Sequence, residues 1–129
     1  MFETGIKNFS IDDGAQISPV EKNVRFLFFG DSITHGYATR FTSLTYANIL
    51  SRTFNAQTLN QAIAGDVFNV NNLDRDLSFD PDMVFVAYGT NDWWHGIDIT
   101  DTAKNILTSF AQYIRKKYLC YSADMQAGF

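Results

Sequence analysis

The chain has 129 residues, 46% of them hydrophobic with twelve Phe, and ten basic against fourteen acidic residues for a net charge of −4. That length fits one domain with a sizeable core, and the lack of a basic patch argues against a nucleic-acid or anionic-membrane partner. The single cysteine, Cys120, excludes an internal disulfide and multi-cysteine metal motifs, and no apolar stretch reaches the ~20 residues of a membrane span.

Residues 1–21 are mixed in composition and punctuated by Gly5, Gly14 and Pro19. They read as an N-terminal arm or the remnant of an upstream module, with Phe2, Ile6, Phe9, Ile11 and Ile17 available to pin it to the body. Residues 22–129 read as the domain proper. No basic segment followed by an apolar one opens the chain. The expectation is a cytoplasmic protein, or a secreted one if a leader has been removed.

Val24–Phe29 reads as the first strand, apolar on both faces, as suits a central parallel strand covered by helices. Ser43–Phe54 carries Leu44, Ala47, Leu50 and Phe54 at near-helical spacing, and Gln57–Asn60 is a short second strand. A weaker helical stretch runs from Gly65 to Leu73. After the Asp80-Pro81-Asp82 turn, Met83–Tyr88 is a third, apolar strand. The last helix runs from Thr100, with Thr100 or Asp101 as cap, to Tyr118. Its stripe is Ala103, Ile106, Leu107, Phe110, Ala111 and Ile114. Arg115-Lys116-Lys117 falls late in it, where cations suit the carbonyl end, and Cys120 reads as a buried, inert thiol. This alternation predicts a three-layer α-β-α fold around a parallel sheet. Ligands in such sheets bind beyond the carboxyl ends of the strands.

Two motifs fall at such ends. Gly30-Asp31-Ser32-Ile33-Thr34-His35-Gly36 follows the first strand, and Gly89-Thr90-Asn91-Asp92 follows the third. Ser32 is the candidate nucleophile, a hydroxyl that needs a base to attack; the plainer reading is a helix cap. The Asn91 amide and the Gly65 N–H are candidate donors to an oxyanion, against a turn asparagine and a loop glycine. Asp31 and Asp92 flank the cleft. Asp31 is expected to tie down the serine loop or to line the substrate site, and Asp92 to serve in a turn, a cap or acid-base work. Trp93 and Trp94 suit sugar or acyl groups at the mouth, or pack over the last helix. The chain has two histidines. His95 is the better-positioned substitute base, whereas local helix geometry points His35 poorly. Nothing in the spacing supports a metal, and no cofactor is expected. A flavin or phosphate binder is disfavoured, because the first loop lacks a dense Gly/Ser/Thr run and Asp31 would repel phosphate.

These residues resemble the SGNH, or GDSL-type, esterase and lipase family. The blocks are Gly30-Asp31-Ser32-Ile33, then Asn60-Gln61-Ala62-Ile63-Ala64-Gly65, then Gly89-Thr90-Asn91-Asp92, in the family order over about Val24–Tyr118. The resemblance implies a flavodoxin-like sheet of order 2-1-3-4-5, Ser32 as nucleophile, and Ser32, Gly65 and Asn91 as the oxyanion hole. It implies a small-molecule ester substrate, such as an acylated sugar or a lipid ester, cleaved through an acyl-enzyme. The family's Asp-x-x-His block has no counterpart, because Asp124 is followed by Met125, Gln126 and Ala127 without a histidine. The expectation is therefore an incomplete sheet and an impaired hydrolase. Its third strand would lie exposed as an edge unless the arm or a second copy covers it, and self-association into a homo-oligomer that covers this edge is expected. The alternative is a non-catalytic glycan- or protein-binding module on the same fold.

Overall fold

The computed structural model describes residues 7–72, 78–113 and 118–123. Four strands form one parallel sheet: β1 (Val24–Gly30), β2 (Ala56–Asn60), β3 (Met83–Tyr88) and β4 (Tyr118–Ala123), in the order β2-β1-β3-β4. The alternation seen in the sequence produces this α/β arrangement because period-2 side chains on β1 and β3 go to opposite faces, both apolar. On one face Phe26 and Phe28 are buried beneath α2 (Tyr46–Thr53), with Phe28 stacked on Phe85 at 4.5 Å between ring centroids. On the other, Leu27, Phe29, Val84, Val86 and Tyr88 pack with Ile106 and Phe110 of α4 (Ile99–Tyr113). Two short helices, α1 (Ser32–His35) and α3 (Thr90–Trp94), open directly from the ends of β1 and β3.

The structure corrects several boundaries. Helix α2 begins at Tyr46 rather than Ser43, because Thr45 takes an extended conformation and its side chain accepts the Asn48 N–H at 3.3 Å. A 3-10 turn occupies 42–44 instead. No α-helix forms over 65–72, and Leu73, the expected end of that stretch, lies outside the described residues. The Phe68 N–H turns to the Asp92 carboxylate, and only a 3-10 turn forms at Val70–Asn72. Asp98, not Thr100 or Asp101, serves the start of α4, accepting the Thr100 N–H at 2.7 Å. Chiefly through that bond, its carboxyl is held below the usual range.

The largest correction concerns the edge. Tyr118 does not end a helix; it begins β4, which pairs with β3 from Met83↔Tyr118 to Tyr88↔Ala123. β3 is therefore interior, and its backbone groups are paired on both sides. The apolar stripe of the last helix gave no stop signal, and the aromatic-rich Tyr118-Leu119-Cys120-Tyr121 prefers a strand. Cys120 lies in β4, with its side chain outside those described; Arg115, Lys116, Lys117 and Asp124 also lie outside the described residues. In the arm, Phe9, Ile11 and Ile17 are exposed rather than pinned to the body, and Phe2 and Ile6 lie outside the described residues. Among the described residues, no helix is long and apolar enough to cross a membrane.

Candidate active site

β1 ends at Gly30 for a steric reason. A Cβ there would run into the Thr34 hydroxyl and lie 2.6 Å from the Ala87 carbonyl of β3, so only glycine lets the chain turn against the neighbouring strand. Asp31 follows, 2% exposed, and its Oδ1 accepts the Ile33 N–H at 3.0 Å as the cap of α1. The capping role open to Ser32 is thus filled by its neighbour. Ser32 is the first residue of α1 and partly exposed, and its hydroxyl has no hydrogen-bond partner among the described residues. The turn is held from below by Thr34, which is fully buried. Its hydroxyl bonds the Tyr46 phenol at 2.7 Å, and its carbonyl accepts Asn60 Nδ2 at 2.9 Å.

The second block is strung between strands. The Gln61 N–H donates to the Phe28 carbonyl and the Ile63 N–H to the Gly30 carbonyl, both at 2.9 Å. The chain then turns, with the Asp66 N–H on the Ile63 carbonyl at 3.2 Å. Gly65 inside that turn has φ +83°, a left-handed conformation that disfavours a side chain, and open space around it.

The third block reaches back to the second. Asn91, in the first turn of α3, donates one amide N–H to the Asp66 carbonyl at 2.9 Å, which leaves its other N–H available. Asp92 is 1% exposed and accepts the Phe68 N–H at 3.2 Å and the Thr102 hydroxyl at 2.9 Å. It therefore ties the loop after β2 to α4 rather than facing the cleft. Tyr88, the last residue of β3, donates its phenol to Asp66 Oδ2 at 3.3 Å. Burial, then the Asp66 charge, push that phenol well above its ordinary pKa; Asp31 and Asp92 act in the same direction.

Trp93 and Trp94 extend from α3 with 65% and 78% of their surface exposed, so neither is buried. His95, at the end of α3, and His35, in the last turn of α1, are both exposed. Neither is hydrogen-bonded to Ser32 among the described residues. Those residues also hold no cluster of three or more His, Cys, Asp or Glu fit for a metal ion.

Sequence reading singled out Ser32, Gly65 and Asn91 but missed the residues that hold their loops, Thr34, Asn60, Asp66 and Tyr88, and missed Thr102 as the partner of Asp92. Tyr88 had a signal. It carries the one hydroxyl in the otherwise apolar β3, and a buried phenol needs a partner.

The family model of the GDSL-like lipase/acylhydrolase family matches residues 28–125. The SGNH-hydrolase family esterase AlinE4 superposes with a TM-score of 0.62 at 23% identity, over 81% of this chain and 60% of that one. A member of the lipolytic protein G-D-S-L family from Veillonella parvula gives 0.62 at 25% identity, over 75% and 56%. A family two carbohydrate esterase from Clostridium thermocellum, in complex with cellohexaose, gives 0.64 at 20%, over 83% and 45%. No curated protein sequence matches. This chain spans 60% or less of each of these three structures' lengths.

Proposed function

The chain belongs to the GDSL-like lipase/acylhydrolase family, and from that premise we propose that it carries the nucleophile and oxyanion hole of a serine hydrolase of carboxylic esters. The Ser32 hydroxyl gives its proton to a base and attacks an acyl carbonyl; the tetrahedral intermediate then collapses, the alcohol leaves with that proton, and the acyl group stays on Ser32. The N–H groups of Ser32 and Gly65 and the free amide N–H of Asn91 hold the oxyanion, and water releases the acid from an acyl-enzyme. One observation carries this reading. The loop bearing Gly65 is bonded to β1 through Ile63 and Gly30, and to Asn91 through Asp66, so three separate sequence blocks form one rim. An oxyanion hole needs donors fixed before charge develops, and this stitching fixes two of them.

Asp31 and Thr34 act beneath the nucleophile as supports. Trp93 and Trp94 flank the mouth, and their exposed indoles suit the flat faces of a sugar, so an acylated carbohydrate is the favoured substrate. Neither histidine bonds Ser32, so the chain turns over esters weakly. His95, on the same rim, is the substitute base in that residual activity. A hole and nucleophile without their base still exceed water in rate.

A fluorophosphonate probe tests this. Its phosphorus accepts the serine oxygen, fluoride leaves, and the tetrahedral adduct resembles the acyl-transfer intermediate. Labelling at Ser32, lost in Ser32→Ala, is expected, with turnover of a chromogenic short-chain ester far below that of complete serine esterases. No labelling at any pH would refute the hydrolase reading.

The exposed indole pair also favours a second reading, a module that binds glycans without cleaving them. Cello-oligosaccharide binding that survives Ser32→Ala but not Trp93→Ala/Trp94→Ala, in a chain that never labels, would select it. Self-association through a sheet edge belongs to the same proposal, with β4, the outermost strand among the described residues, in place of β3. Sedimentation that shows a monomer at every concentration refutes that part.

A further inference from the structure

Asp66, next to the second block, is tied both to the third block and to the end of β3. The main-chain carbonyl of Asp66 accepts the Asn91 amide at 2.9 Å, and its carboxylate accepts the Tyr88 phenol at 3.3 Å and the Asn72 amide at 3.1 Å. Tyr88 sits at the end of β3 and is 4% exposed; its ring also meets that of Phe68 edge-on at 5.4 Å. An interior strand thus holds the turn of Gly65 through a phenol that the core itself keeps in place.

The carbonyl contact has a chemical consequence. An asparagine amide can present either its oxygen or its NH2 group toward an anion. Only the NH2 orientation stabilises negative charge, and an oxygen in its place would repel it. With a carbonyl as its neighbour, Asn91 must point its nitrogen there, and the second N–H on that nitrogen then serves the rim. If Asp66 moves, this orientation is no longer enforced.

We propose that Tyr88 and Asp66 form a positioning clamp. The phenol-carboxylate bond holds the Gly65-Asp66 turn against β3, and the Asp66 carbonyl sets the Asn91 amide with its N–H outward. Both residues act through Gly65 and Asn91 and touch no substrate. The inference rests on the hydrolase reading for its catalytic meaning, but the geometry it asserts is independent of that reading.

The test has two arms. In the first, the second-order constant for Ser32 phosphonylation is split into a maximal rate and an apparent affinity. Tyr88→Phe is expected to lower the maximal rate roughly fivefold, the equivalent of one net hydrogen bond of about 1 kcal/mol, with affinity unchanged within about twofold. Asp66→Ala should do the same, and Asp66→Asn, which keeps an oxygen acceptor, should recover part of the loss. Because the two residues form one device, Tyr88→Phe/Asp66→Ala should be no slower than the worse single variant. Multiplicative losses, or rates within about twofold of wild type, overturn the clamp.

In the second arm, the side-chain NH2 resonances of Asn91 are assigned with Asn91→Ala. Two well-separated proton shifts in the wild type, drawing together in Tyr88→Phe, support the clamp; unchanged shifts overturn it. This arm needs no reactive serine. If Ser32 never labels, the hydrolase reading fails while the amide spectrum still decides the clamp. Thermal unfolding of each variant separates loss of the clamp from loss of the fold.

Discussion

Replacing Asp92 by alanine removes the acceptor shared by the Phe68 N–H and the Thr102 hydroxyl. Thr102 is 2% exposed, and Asp92 1%, so water cannot readily replace the lost partner. Hydrogen bonds to a charged group contribute about 1.5–3 kcal/mol each. The Thr102 bond, at 2.9 Å, falls in the upper part of that range, and the Phe68 contact, at 3.2 and 3.4 Å, in the lower part. Together Asp92→Ala should destabilise the fold by about 4 kcal/mol, a large share of the roughly 5–15 kcal/mol that holds a domain folded. Asp92→Asn keeps one oxygen to accept the Thr102 hydroxyl and should lose about 1.5 kcal/mol. Urea unfolding followed by far-UV circular dichroism measures both, provided the slope with denaturant is unchanged. Were Asp92 an acid-base group facing the cleft, the order would differ: Asp92→Asn would slow Ser32 labelling and leave stability intact. An Asp92→Ala variant within about 1 kcal/mol of wild type refutes the reasoning, because it means those two donors find other partners.

Gly30→Ala puts a methyl group against the Ala87 carbonyl and the Thr34 hydroxyl; a loss of about 3 kcal/mol is expected in the same denaturation assay. Asn91→Ala removes a proposed oxyanion donor and should slow phosphonate labelling of Ser32 by about 100-fold, with the dichroism spectrum unchanged. The Tyr88 phenol titrates above its ordinary value of about 10 in the folded chain. The unfolded chain therefore releases that proton first as pH rises. The Tyr88 contribution to stability is full below about pH 10 and falls away above it. Urea midpoints from pH 8 to 11 should show this loss in the wild type and a weaker one in Tyr88→Phe; parallel curves would contradict it.

Much of this architecture is written in local pattern. β1 and β3 are apolar on both faces, and no other element accommodates such runs so close to Gly30 and Gly89. The blocks that carry the proposed site were legible for the same reason, since two of them follow directly where β1 and β3 stop. What pattern could not convey was pairing at a distance. Nothing near Asp92 in sequence predicts Phe68 or Thr102 as its partners, and nothing near Asn91 predicts the Asp66 carbonyl. The arrival of β4 beside β3 was hidden similarly, because a helical stripe that fades without a glycine or proline gives no end point. Capping was misjudged at α4 because Asp98 and Asp101 are equally eligible residue types, and only the backbone path separates them.

The four strands among the described residues run in one direction, so the two rims of the sheet have separate duties. At the far rim, Arg25 bridges to Asp80 and Asp82, and Lys22 holds Asn55; at the near rim sit Ser32, Gly65 and Asn91. On the hydrolase reading, a mutational library confined to the exposed positions within 31–37, 61–69 and 89–96 would vary reactivity and selectivity while leaving that basal latticework untouched. Grafts or affinity tags belong at the opposite pole, so that immobilisation there would leave the proposed site facing the solution.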